Sequence, residues 1–336
     1  MKEFEREILI EMRDGAIGGA VVEAGNASGA KLLSAYGLAD PVAKVPMRTD
    51  TIIDVASITK IIATSASLLL LRDRGLIDLD APFTDYIDFH AELKAPITVR
   101  ELSMHVSGFP EGLPYWDEDG LKMREKVRRF PPRFLPNTHY EYSCWNYQLL
   151  GQIIERLSGM TLREFAAANV FLPLEMFDTS LGTPVTGDPA RLARTDTAPR
   201  AGAISDPVAF RIYRDGACAG NAGAFSTASD LGRFCRMLLS GGRLFSADSL
   251  NQFTRGRQAA PSGISRSIGF ITWDDLMPDG FSSWSVQHSG WSGQTIFVDM
   301  ERDFYAVVLT SRIGHYNRTR LGRRTIAEWL RRETAC

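Results

Sequence analysis

The stretch Asp54-Val55-Ala56-Ser57-Ile58-Thr59-Lys60, followed by an apolar run from Ile61 to Leu71 that ends before Gly75, decides the reading of this chain. The spacing predicts a helix start, with Ser57 and Lys60 three residues apart and therefore on one face. An amine so placed can accept or relay the proton of the hydroxyl. The helix N-terminus adds partial positive charge and N–H groups that favour an alkoxide and an oxyanion. Alone, the pattern carries little, because an N-cap serine followed by a surface lysine reproduces it.

Working outward, residues 3 to 13 alternate charged and apolar side chains at helical spacing, and Ile17 to Glu23 and Lys31 to Tyr36 read as strands around a Gly-Asn-Ala-Ser-Gly turn region. At the other end Thr295 to Met300 and Phe304 to Ser311 form a second strand pair, and residues 318 to 333 have helical periodicity. Helix and strands at both termini predict one sheet assembled from the two ends. The middle carries helical stretches such as Gln148 to Ser158 and Thr161 to Val170, joined by Pro- and Gly-containing loops. The expected division is a discontinuous sheet domain, residues 1–75 and 228–336, with a mostly helical domain, residues 76–227, inserted into it.

A length of 336 residues suits two domains. Hydrophobic residues at 44% and charged residues at 23% are the balance of a globular protein. The 38 basic and 40 acidic residues leave a net charge of −2, which disfavours a nucleic-acid binder. No apolar run approaches the ~20 residues a membrane helix takes. The N-terminus mixes Glu and Arg with single apolar residues rather than forming a signal peptide, so a cytoplasmic protein without a membrane partner is expected. The cysteines (Cys144, Cys218, Cys235, Cys336) and histidines (His90, His105, His139, His288, His315) show neither disulfide nor zinc spacing, and no metal or organic cofactor is expected. The basic stretch Lys122 to Arg133 reads as a solvated helical face.

The motif set changes the weight of Ser57 and Lys60. Leu102-Ser103-Met104-His105-Val106-Ser107-Gly108 follows them, then Tyr142-Ser143-Cys144-Trp145-Asn146-Tyr147, Phe171-Leu172-Pro173-Leu174-Glu175-Met176, Ala222-Gly223-Ala224-Phe225-Ser226-Thr227-Ala228, and His288-Ser289-Gly290-Trp291-Ser292-Gly293. In this order the sequence resembles the serine β-lactamase and penicillin-binding-protein superfamily, in particular its class C β-lactamase, D,D-peptidase and esterase branch, from about residue 15 to about residue 330. The resemblance implies a mixed α/β (α+β) fold of the β-lactamase/transpeptidase type: an antiparallel sheet flanked by N- and C-terminal helices plus an inserted helical domain, with the active site between them.

It further implies that Ser57 is the acyl-accepting nucleophile, Lys60 its proton partner and Tyr142 the second motif's tyrosine, sharing a proton with Lys60. Cys144, His288, Ser289, Gly290 and Trp291 fall at substrate-binding positions, with the amides of Ser57 and Trp291 as the implied oxyanion hole. His105 lies in a loop motif of structural character. Two departures stand out. Cys144 occupies the usual Asn position of the second motif, removing a carboxamide that contacts an acyl amide. His288 stands where lysine is common, and a pKa of ~6.5 against ~10.4 makes its positive charge conditional. The expectation is a serine hydrolase working through an acyl-enzyme on small ester or amide substrates. A weak β-lactamase or D,D-peptidase is the alternative within the fold, and a catalytically silent ligand-binding homologue is the alternative of another class. The oligomeric state is not fixed by these residues.

Overall fold

Val22 sits mid-sheet, opposite Ser34 on one side and Val308 on the other, so the two ends of the chain meet across it. The structure, a computed structural model, describes residues 1–111, 118–195, 198–312 and 316–334; His315 and Cys336 lie outside these. In chain order the strands are β1 (Ile17–Asn26), β2 (Gly29–Asp40), β3 (Val45–Pro46), β4 (Ile53–Asp54), β5 (Ser180–Leu181), β6 (Ala224–Ser226), β7 (Arg257–Gln258), β8 (Ser265–Arg266), β9 (Ile271–Trp273), β10 (Ser285–Ser289), β11 (Thr295–Asp299) and β12 (Phe304–Arg312). Among the described residues β3-β2-β1-β12-β11-β10-β9-β8-β7 form a nine-stranded antiparallel sheet, and β4-β6-β5 form a small second one.

Alternation along β1 sorts its side chains between two cores. Ala20, Val22 and Ala24 face Phe4 and Ile8 of helix Glu3–Arg13 and Ile326 and Leu330 of helix Tyr316–Thr334. Val21 joins the larger core with Leu231 and Phe234 of helix Ala228–Leu239. The terminal helices thus cover one face, and the helix after β6 covers the other.

The expected terminal helices and strands are all present; β1 and β2 run several residues beyond their apolar alternation, β12 one residue beyond, and β11 stops one residue short, at Asp299. The extension β7-β8-β9 was not foreseen; strands of two or three residues are too short to display a period. Residues 76–227 supply helices Val99–Ser103, Gly120–Lys126, Cys144–Ser158, Leu162–Ala166 and Pro207–Arg214, together with β5 and β6 of the small sheet. In the basic stretch Arg124 pairs with Glu155, and Arg128 and Arg129 pair with Glu125. Among the described residues no helix is long and apolar enough to cross a membrane.

Candidate active site

The small sheet aims the Ser57 turn. Asp54 ends β4, paired with Phe225 of β6, and its buried carboxylate accepts the Ala56 N–H at 2.9 Å and the Ser205 N–H and hydroxyl at 2.7 and 2.6 Å. Burial is the dominant influence on Asp54 and pushes its pKa up against these hydrogen bonds. Ala56 is held at φ +46°, a left-handed conformation costing about 1–3 kcal/mol for a residue with a side chain. Gly290, just after β10, lies so close that a Cβ there would sit 2.7 Å from the Val55 carbonyl oxygen and 3.2 Å from the Ala56 Cβ. That contact sets the end of β10 directly beside the Ser57 turn.

The helix start predicted at Ser57 has an irregular form. Ala56–Ile58 is a 3₁₀ turn, Lys60–Ser65 is π-helical, and regular helix begins only at Ala66. Such π turns concentrate at functional sites. No side chain caps the first turn, so the reading of Ser57 as a helix cap does not hold. The expected pairing does: Lys60, 0% exposed, donates from Nζ to Ser57 Oγ at 2.9 Å, to the Asn221 carbonyl at 2.9 Å and to Cys144 Sγ at 3.7 Å.

Tyr142 completes the cluster, with the Lys60 ammonium 5.0 Å from its ring centroid and both Lys60 and Ser57 interacting with its phenol. Burial presses Lys60 toward the free amine, but Cys144, Tyr142 and Asp206 outweigh it and hold the ammonium above the ordinary lysine value. Burial likewise raises Tyr142 and Cys144, with Lys60 pulling both down. The resting set is therefore ammonium, phenol and thiol.

Behind Tyr142, His105 stacks on its ring at 4.3 Å and accepts the Ser143 N–H at Nδ1, so this loop histidine positions the second motif. His288 lies 6.4 Å from the Tyr142 ring and is 1% exposed. Burial first, then the charges of Arg266 and Lys60, hold its pKa well below the usual histidine value. This corrects the expectation of a conditional charge: His288 is neutral, faces Tyr142 and does not line the open cavity. Ser289 and Gly290 do not line it either; Ser289 turns toward Thr295, and Gly290 serves the turn contact.

A cavity of about 720 Å³ opens above Ser57, Tyr142 and Cys144. Its walls are largely apolar, from Pro199, Ile204, Pro207, Phe210 and the 55%-exposed Trp291. The charged groups on it are Asp206, Glu111 and Arg211, the last ion-paired with Glu118. Asp206 caps helix Pro207–Arg214 through the Val208 and Ala209 N–H groups and accepts from Asn221 Nδ2 at 3.3 Å, tying the cavity wall to the loop that holds Lys60. Sequence reasoning missed Asn221, Asp206 and Arg266. Asp206-Pro207 is a legible helix start, but nothing local announces that it faces Lys60. Among the described residues no group of three or more His, Cys, Asp or Glu is placed to hold a metal ion.

The nine-stranded antiparallel sheet, the helices packed with it and the Ser-Lys-Tyr cluster define a β-lactamase/transpeptidase fold. The chain belongs to the β-lactamase family, whose model matches residues 5–328. It is 27% identical over 308 residues to a putative D-alanyl-D-alanine carboxypeptidase of Escherichia coli O157:H7, covering 80% of this chain and 70% of that protein. Its fold is similar to that of a β-lactamase/D-alanine carboxypeptidase from Pseudomonas syringae, with a TM-score of 0.78, 18% identity and 98% and 97% of the two chains covered. It is equally similar to EstCE1, a hydrolase with promiscuous acyltransferase activity, with a TM-score of 0.78, 19% identity and 97% of each chain covered.

Proposed function

We propose that the protein is a serine hydrolase that forms an acyl-enzyme on Ser57 with small, apolar esters or amides, esters being preferred. The observation that carries this reading is the buried Lys60 ammonium donating to Ser57 Oγ at 2.9 Å on the floor of an apolar cavity. Once the Lys60–Tyr142 pair has lost one proton, it takes the Ser57 proton as Oγ bonds to the substrate carbonyl carbon. The same proton returns to the departing alcohol or amine as its bond to carbon breaks. Water then attacks the acyl-enzyme, giving a proton to the pair and releasing the acid, with Ser57 recovering its hydrogen. The N–H groups of Ser57 and Trp291, brought alongside by the Gly290 contact, are the proposed oxyanion donors.

Selectivity follows from the walls. A substrate carboxylate meets a neutral His288, an Arg211 engaged by Glu118, and the acidic Asp206 and Glu111, which supports neutral substrates over anionic β-lactams and peptide C-termini. A side-by-side assay of p-nitrophenyl esters, a chromogenic cephalosporin and D-amino-acid amides tests this. Short esters should lead; a preference for the cephalosporin or the amides would favour the β-lactamase or D,D-peptidase reading, and stoichiometric inertness to all, with no labelling of Ser57, a ligand-binding homologue.

A further inference from the structure

Arg266, on β8, is 0% exposed and has no carboxylate within ion-pair distance among the described residues. A buried, unpaired guanidinium is costly to keep. It donates to the Tyr140 hydroxyl at 3.1 Å and to the Gly269 carbonyl at 2.5 Å, and its Nε has no partner. Its Cζ stands 5.9 Å from the ring centroids of both Tyr140 and Tyr142. Its acidic neighbours are therefore phenols, one of them the tyrosine beside Ser57.

We propose that Arg266 is a positioning residue for the Ser57 reaction, a fixed positive charge behind Tyr142 that stabilises its phenolate and so sets the pH at which the Lys60–Tyr142 pair can accept the Ser57 proton. The other groups facing Tyr142 do not supply this charge in the same way. His105, stacked on the ring, and His288, on the far side, are both neutral, each depressed by burial and then by Arg266 and other nearby cations. Cys144 and Tyr147 are acids whose ionisation burial opposes. Lys60, its ammonium 5.0 Å from the ring centroid, pulls the phenol down more strongly, but it belongs to the pair that gives up the proton, whereas the Arg266 guanidinium keeps its charge throughout. The histidine at the third motif brings no charge to β10, and Arg266 brings one from the neighbouring part of the same sheet.

The inference rests on the hydrolase reading, and the two fail differently. The readout is the rate of Ser57 labelling by a fluorophosphonate, and kcat/KM for a short p-nitrophenyl ester, each followed against pH in the full chain. A charge about 6 Å away, at effective dielectric constants between those of surface and bulk water, moves an ionisation by about half a unit to two units. Arg266→Met should therefore shift the rising limb of both profiles upward by that amount, about 3- to 100-fold slower below the limb and converging with wild type above it. Arg266→Lys should restore most of the shift. The thermal midpoint of Arg266→Met should be unchanged or raised, because a buried charge without a carboxylate has gone. If Arg266→Met does not fold, Arg266→Gln, which keeps a donor for Gly269 and Tyr140 but not the charge, takes its place with the same outcomes. An unshifted limb in a folded variant overturns the proposal. So does a loss equal at every pH that Arg266→Lys fails to rescue, which is the mark of a purely structural role. Absence of any Ser57 adduct in wild type would overturn the hydrolase reading and the role of Arg266 with it.

Discussion

Cys144 stands 3.7 Å from the Lys60 ammonium and on the cavity wall, so its thiol touches the proton-handling group and faces the space proposed for the substrate. A thiol is a weak donor and acceptor, so an acyl amide in the cavity loses a directed hydrogen bond that a carboxamide would make. Cys144→Asn should raise kcat/KM for a D-amino-acid amide relative to a short p-nitrophenyl ester by roughly tenfold, the rate equivalent of one such bond felt in the transition state. An unchanged ratio in a folded variant would move the origin of selectivity to the apolar wall. The proton inventory makes a second prediction. Lys60 and Tyr142 both hold their protons more tightly than usual, so a proton must leave the pair before Ser57 has an acceptor, and activity should rise with pH. His288 is neutral well below its ordinary pKa and does not change charge between about pH 6 and 9. Profiles for a neutral ester and an anionic analogue should share one shape; a falling limb seen only with the anionic ester would restore a charged His288.

At the scale of elements, the site depends on the end of β10 lying against the Ser57 turn, with Ala56 held at positive φ between Asp54 and Gly290. Gly290→Ala must push these apart, since its Cβ would sit 2.7 Å from the Val55 carbonyl oxygen. A displacement of about 1 Å between reacting groups costs on the order of a hundredfold in rate, so kcat should fall by that order with only a small change in thermal midpoint. Wild-type kcat in Gly290→Ala would show that the contact does not set the geometry. This is also where the sequence is least informative. Ser57 and Lys60 were legible because three residues of helix suffice to bring them together, and the π turns that follow leave that pairing intact. The terminal strands were legible because one side of each must be apolar against Phe4, Ile8 and Leu330. The depth of His288, the loop carbonyl of Asn221 that holds Lys60, and Arg266 behind Tyr142 are long-range placements without a local period or motif, made only when β10, the 216–223 loop and β8 converge.

Across the whole molecule, the N-terminal and C-terminal strands become one sheet only when β12 pairs with β1, and the terminal helices bury the face that this pairing creates. Leu330, fully buried there, sits on the opposite side of the sheet from the larger core that carries Ser57's helix. Leu330→Ala should cost about 2–5 kcal/mol of stability, the range for emptying a buried leucine site, while the folded fraction keeps wild-type kcat/KM. Denaturation paired with active-site titration separates the two; a variant of normal stability, or one with a reduced specific rate per folded molecule, would contradict this division. The proposed chemistry turns on Ser57 Oγ as the acyl-accepting atom. Intact-protein and peptide mass spectrometry after treatment with a fluorophosphonate or a slowly turned-over ester measures this directly. A single adduct on the peptide carrying Ser57 in wild type is predicted, and none in Ser57→Ala, whose thermal midpoint should be unchanged because the Ser57 side chain caps no helix. An adduct that persists in Ser57→Ala, or that maps to Cys144 in wild type, would contradict it.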